Sequence, residues 1–209
     1  MPEGTTKGNY EIARERAKEY FLGFDQNKII SDWDLEYDDE YIYVEFFRIP
    51  YRIHRTTGNV QSSTDGFVTV KEGGFNDVLS IFDFLCHEGE YKVATRTFAS
   101  VNSLKGHKTA SGVGVDMNSR HAKIFDDNRE SFIAACEKLG AKPVPMGDVG
   151  YVFDVFGDLS VILKFYFSDD EFPAQITFLW DESTLSFIFY ETVFYTAGFL
   201  ISLIRENME

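Results

Sequence analysis

Residues 148–182 constrain the fold more than any other part of the chain. From Ser160 to Phe167 the side chains alternate, with Val161, Leu163, Phe165 and Phe167 on one side and Ser160, Ile162, Lys164 and Tyr166 on the other. Between positions 174 and 181, Ala174, Ile176, Phe178 and Trp180 alternate with Gln175, Thr177, Leu179 and Asp181. Period-two alternation in β-branched and aromatic residues marks a half-buried strand, whose successive side chains face opposite ways. Residues 151–156 form a shorter run of the same composition. Gly157-Asp158 between the first two runs suits a two-residue type II′ turn, because glycine accepts a positive φ. Pro173, which has no N–H to donate, marks the start of the third strand. Three consecutive antiparallel strands are therefore expected here, and the rest of the chain is placed around them.

The 209 residues are read as a disordered leader at 1–8 followed by a single domain over 9–209, since no Pro/Gly/Ser-rich linker divides them. Asn9 is expected to cap a first helix with Tyr10, Ala13, Ala17, Tyr20, Phe21 and Phe24 inward. Asp25 is expected to cap a second, short helix. Residues 41–47 and 51–55 read as strands separated by Pro50, and 60 and 67–70 as further short strands. Phe75, Val78, Leu79, Phe82, Leu85 and Cys86 recur at helical spacing, so a helix is expected to end near Gly89. Residues 91–101 fit either period. Three glycines among small polar residues make 103–118 the most loop-like stretch. Short helices are read at 121–125 and 127–139. A final helix is read at 190–205, its apolar face formed by Phe194, Ala197, Gly198, Ile201 and Ile204 or Arg205. The fold class expected is α+β: a mostly antiparallel, twisted sheet of six or seven strands with helices packed chiefly on one face.

Charge and composition exclude several classes. A formal charge of −14 opposes nucleic acid, because phosphate contacts need a basic footprint. No apolar run reaches the roughly 18 residues of a membrane span, and no secretory signal opens the chain. The expected setting is cytoplasmic. Two cysteines, Cys86 and Cys136, are too few for a disulfide framework or a tetrahedral zinc site. Adjacent helical residues point about 100° apart, so Cys86 and His87 do not form a nucleophile–base pair. His54, His87, His107 and His121 lack metal-ligand spacing. Lys105 to Thr109 is a weakly phosphate-loop-like basic stretch without the upstream glycine of a Walker loop, and Gly112-Val113-Gly114 is a lone GxG. No cofactor motif is evident.

The candidate site is acidic. In an antiparallel meander Asp148 enters at the same end as Asp169, Asp170 and Glu171, whereas Asp158, Asp181 and Glu182 lie roughly 23 Å away at the other end. Asp148, Asp169, Asp170 and Glu171 could then make an all-oxygen site for a divalent cation such as calcium or magnesium. The competing reading is a solvated turn with Phe172 tucked into the core.

Several segments carry a family resemblance. They are Pro50-Tyr51-Arg52-Ile53, the helix around Val78-Leu79-Ser80-Ile81-Phe82, and above all Asp169-Asp170-Glu171-Phe172-Pro173 leading to Phe178-Leu179-Trp180-Asp181. Glu191 at the start of the last helix also fits. The chain resembles, from about residue 10 to its end, domain of unknown function 3786, a family found mainly in anaerobic bacteria and archaea. Family members often have His-Tyr in the central helix, where this chain has Asp83-Phe84. Some carry an iron–sulfur domain, whose cysteines this chain lacks. The resemblance implies an anaerobic setting and a link to corrinoid or one-carbon metabolism, and it supplies no catalytic residue. Two functions are expected from residues and resemblance together. One is a non-enzymatic accessory protein that binds a small molecule or a protein partner. The other is a metal-dependent hydrolase or transferase using the acidic loop.

Overall fold

The structure is a computed structural model that describes residues 8–88, 93–104 and 115–208, with 115–119 described in their backbone alone. Residues 1–7 of the expected leader at 1–8, the helix stop at Gly89, the basic stretch with His107 and the GxG at 112–114 lie outside the described residues. The chain divides into two compact units, one ending at Cys86 and one beginning at His87.

In the first unit, α1 (Asn9–Leu22) and α2 (Gln26–Trp33) precede four strands. Asp25 caps α2 as expected, its Oδ1 accepting from the N–H groups of Asn27 at 3.0 Å and Lys28 at 3.2 Å. The strands are β1 (Tyr41–Phe46), β2 (Ile49–His54), β3 (Val60–Ser62) and β4 (Lys71–Glu72), paired antiparallel in that order. Helix α3 (Phe75–Cys86) follows. One sheet face carries the buried Ile42, Val44 and Phe46 of β1 and Tyr51 and Ile53 of β2. Phe21 of α1 stacks on Phe82 of α3 at 4.8 Å, which joins the two helices. Tyr10 and Tyr20, expected inward, are 71% and 47% exposed, so α1 rests on a narrower stripe around Phe21.

The β1–β2 turn is Phe47-Arg48, with φ of 49° and 60°. Two successive left-handed residues define a type I′ hairpin, a position that normally selects asparagine or glycine. Pro50 therefore lies inside β2, opposite Glu45, rather than between the strands. The Phe46–Ile49 pair closes the hairpin, so Glu45–Pro50 is a non-hydrogen-bonded pair and no bond to β1 is lost at the proline, whose carbonyl accepts from Ser63 N–H at 3.1 Å on the other side. Residues 67–70 are not a strand. Ser63 and Asp65 draw this segment into a loop, Ser63 Oγ accepting from Phe67 N–H at 2.9 Å and Asp65 Oδ1 from Thr69 N–H at 3.0 Å.

The second unit is built on the expected meander: β7 (Val149–Phe156), β8 (Leu159–Tyr166) and β9 (Gln175–Asp181), all antiparallel. Gly157 has φ of 53° while Asp158 does not join the left-handed residues, which is the II′ pattern. Two short strands complete a five-stranded sheet, β5 (Phe98–Ser100) on β9 and β6 (Lys142–Pro143) on β7. The α+β class and antiparallel pairing stand, with the strands distributed over two sheets of four and five. Helix α4 (Val115–Asp127) begins six residues before the expected 121, directly after the last glycine of the loop-like stretch. Asn128 separates it from α5 (Arg129–Lys138). Phe125 of α4 stacks on Phe132 of α5 at 4.7 Å, and Phe132 meets Phe165 of β8 at 5.0 Å, so both helices cover the sheet face that bears Phe165. The last helix, α6 (Tyr190–Glu206), buries Val193, Thr196, Leu200, Ile201 and Ile204. Its inward face is rotated from the expected one, leaving Phe194, Ala197 and Gly198 partly exposed. No helix among the described residues is long and apolar enough to cross a membrane.

Candidate functional site

The strand directions put Asp148 beside the 168–174 loop, as expected. Asp148 precedes β7, its N–H donating to Phe165 O at 3.0 Å and its Oδ2 accepting from Phe167 N–H at 2.8 Å. Asp169 folds the loop tip on itself. Its Oδ1 accepts from Glu171 N–H at 2.9 Å and Phe172 N–H at 2.7 Å, and its own N–H donates to Phe172 O at 3.0 Å. This is an Asx-type turn, in which a short carboxylate replaces a backbone acceptor. The same N–H groups, Glu171 first, hold the Asp169 carboxyl below its ordinary value and keep it ionised.

Two residues that sequence reasoning missed complete the support. Asp126, at the end of α4, accepts from Ser168 through both its N–H (3.3 Å) and its hydroxyl. Arg129, at the start of α5, donates to Asp126 Oδ1 at 2.7 Å and lies 4.2 Å over the Phe167 ring. Burial acts to raise the Asp126 carboxyl, but hydrogen bonds from Ser168 and the Arg129 charge outweigh it and leave the group below the usual range. Asp126 is 42 positions from Ser168, and no spacing rule links the two.

Of the four proposed ligands, Asp148 and Asp169 thus direct carboxylate oxygens to backbone N–H groups of the loop, while Asp170 and Glu171 are exposed. Among the described residues, no group of three or more His, Cys, Asp or Glu side chains is gathered so as to hold a metal ion. Phe172 is not in the core: it is 60% exposed. The Asp169 turn and the Asp169–Phe172 backbone bond aim the aromatic outward. What the arrangement offers chemically is a hydrogen-bonded loop displaying one phenylalanine directly after three consecutive carboxylates, Asp169 to Glu171.

The other end of the meander is a structural knot. Asp181 is 1% exposed, and five donors from Thr95, Arg96 and Ser183 converge on its carboxylate. Cys86 and Cys136 are buried, and desolvation first, then the Glu137 charge, pushes the Cys136 thiol up to about 12. The His87 ring packs edge-on to Phe189 at 4.6 Å. Burial, then the Arg205 and Arg120 guanidiniums, holds His121 below its ordinary value. His54 shares its Nδ1 with Thr56. Asp83 and Phe84 are buried on α3.

No curated protein and no solved structure matches the chain. A family model does, over residues 25–202, a span that takes in the Asp169–Pro173 loop, Asp181 and the Arg52 segment. The chain belongs to the family described as domain of unknown function DUF3786.

Proposed function

We propose that this chain is a non-enzymatic binding protein, whose 168–173 loop docks onto a basic segment of a partner protein. The setting implied by the resemblance makes it an accessory of anaerobic metabolism. One observation carries the reading: Phe172 stands 60% exposed on a loop whose backbone is tied down by Asp148, Asp126 and Asp169. An aromatic held rigidly in water loses little conformational freedom on binding and is the residue type that anchors interfaces. The carboxylates of Asp169, Asp170 and Glu171, on a chain of formal charge −14, select a partner of opposite sign. The buried thiols and the hydrogen-bonded carboxylates weigh against a nucleophile or an acid–base pair at this loop.

The test is fluorescence anisotropy against a library of labelled peptides that combine Lys/Arg with one large apolar residue. Binding should weaken as salt is raised, because exposed charges are screened within about 8 Å at physiological ionic strength. Phe172→Ala should abolish it while leaving the fold intact, since the side chain contributes little to the core. Equal binding by Phe172→Ala and the wild type would overturn the proposal. One divalent ion per chain in isothermal titration, lost on Asp169→Asn, would put the metal-dependent enzyme in its place.

A further inference from the structure

We propose a second site, on the first unit and separate from the acidic loop: Arg52 recognises the carboxylate group of a small organic acid or a peptide C-terminus. The sheet register places Tyr43, Arg52, Gln61 and Glu72 in one row across all four strands, on the face opposite Ile42, Ile53 and Val60. Arg52 is fixed there from several directions. Its guanidinium carbon lies 4.4 Å from the centre of the Tyr41 ring and 5.0 Å from that of Phe67. Its Nε donates to Gln61 Oε1 at 2.9 Å, and Gln61 Nε2 donates in turn to Glu72 Oε1 at 2.7 Å. The amide can point only one way in this chain, because a cationic N–H needs its oxygen and a carboxylate needs its N–H.

The acids around Arg52 use their oxygens elsewhere. Asp38 Oδ2 accepts from the Tyr43 hydroxyl at 2.7 Å, and its Oδ1 accepts from the N–H groups of Glu40 and Tyr41 at 2.8 and 2.7 Å. Glu72 holds Gln61. The Nη1 and Nη2 edge of Arg52 therefore has no acceptor among the described residues, although Arg52 itself is only partly exposed. A guanidinium stacked on aromatic rings with its terminal fork open is preorganised for two parallel hydrogen bonds to a planar anion. Because Nε is taken, the pairing is end-on, through Nη1 and Nη2. Asp38 and Glu72 make the surroundings negative, which favours a singly charged carboxylate over a doubly charged phosphate.

Phe67 provides an independent sign that this placement is enforced. It has φ of 65°, directly after Gly66 at 71°. A bulky residue rarely holds the left-handed region, and such strain persists where surrounding contacts over-determine it. Here Ser63 and Asp65 clamp the loop, with Thr69 donating to Asp65 from both its N–H and its hydroxyl. The result is that the Phe67 ring sits beside Arg52 and 5.7 Å from the Tyr43 ring.

The test is NMR of arginine Nε–Hε and glutamine side-chain resonances on the full chain. Sodium acetate, sodium benzoate and inorganic phosphate are added separately at constant ionic strength. The Arg52 and Gln61 signals should shift saturably with the carboxylates, in the millimolar range, while exposed Arg16 should drift without saturating. Arg52→Lys keeps the charge, removes the fork and should weaken binding by about tenfold. Short peptides with free and amidated C-termini then identify the source: tighter binding of the free peptide than of acetate marks a peptide C-terminus, and equal binding marks a small acid. No saturation at Arg52, the same drift at Arg16, or saturation by phosphate alone overturns the proposal. The wild-type titration decides this even if Arg52→Lys fails to fold.

Discussion

Replacing Asp181 with asparagine should destabilise the second unit by about 2 kcal/mol. The magnitude follows from the cradle. Oδ1 accepts from Thr95 N–H at 3.1 Å, Thr95 Oγ1 at 2.8 Å, Ser183 N–H at 2.9 Å and Ser183 Oγ at 2.6 Å, and Oδ2 accepts from Arg96 N–H at 2.5 Å. Asparagine keeps one oxygen, best used at the four-donor position. Its NH2 then faces Arg96 N–H, donor against donor. An unsatisfied N–H costs about 1–3 kcal/mol, and exchanging charged for neutral acceptance at the other bonds costs about 1 kcal/mol more. The left-handed Arg96, φ 59°, returns part of this if released, roughly 1 kcal/mol. Asp181→Ala leaves three backbone N–H groups without the carboxylate and should cost about 4 kcal/mol.

The assay is urea unfolding followed by the fluorescence of Trp180, which precedes Asp181 and is 2% exposed, in a Trp33→Phe background. Asp158→Asn, in the exposed Gly157-Asp158 turn at the same end of the sheet, is the control and should change stability by less than about 0.5 kcal/mol. The acid limb adds a sign. Burial acts to raise the Asp181 carboxyl, but hydrogen bonds from Ser183 and then Thr95 outweigh it and leave it below its ordinary value. A depressed carboxylate contributes its stability fully above the unfolded-state value of about 3.9, and loses it as pH falls through the lower folded-state value. Asp181→Asn should therefore remove part of the acid-side fall below about pH 4. A stability for Asp181→Asn equal to that of Asp158→Asn would falsify the claim that this carboxylate holds the β5–β9 end together.

The remaining predictions concern backbone and thiols. Asp34 ends α2 in the left-handed region at φ 51°, so Asp34→Gly should raise the urea midpoint, worth about 1 kcal/mol, by removing strain and an anion at a helix C-terminus. Gly147 has φ of 68°, and a Cβ there would sit 2.5 Å from Phe165 O, so Gly147→Ala should cost about 3 kcal/mol in the same melt and loosen the Asp148 contact. Cys136 should stay silent to a thiol reagent such as DTNB at pH 8 in the native protein, because its thiol, pushed up to about 12, is neutral and buried. Cys86, equally enclosed, should behave alike, both reacting only in denaturant.

How much of this was legible in the sequence depends on whether the determinant was local. The meander was, because strand burial writes itself as alternation and Gly157 announces its turn. Asp25 was, because a cap acts on N–H groups two and three residues away. The Phe47-Arg48 turn was not, since neither residue is a left-handed type, and reading Pro50 as the break put β2 two residues late. The division into two sheets was not legible either, because period-two patterns specify a face and not a partner strand. For α6, the apolar residues run almost all round the helix, so the stripe could be drawn through Phe194 as easily as through Val193.

The candidate sites show the same limit more sharply. One of the two readings of the acidic loop tucks Phe172 into the core, where aromatic side chains usually lie. Its exposure is set by hydrogen bonds that Asp169 makes within its own turn and by Asp126, which arrives from another element. Arg52 stood in the sequence as one basic residue among many, in a segment noted only for family likeness. Its distinction comes from a cross-strand row and from a ring delivered by the strained loop at Phe67. In both units, then, carboxylates do the positioning: Asp148, Asp126 and Asp169 hold the loop that exposes Phe172, and Asp65 and Asp38 fix the rings around Arg52. A carboxylate that serves as a backbone or hydroxyl acceptor is committed to shape. This places the recognition chemistry on the residues those carboxylates present, and it makes Phe172 and Arg52, rather than the acidic residues themselves, the side chains whose substitution should abolish binding without unfolding the chain.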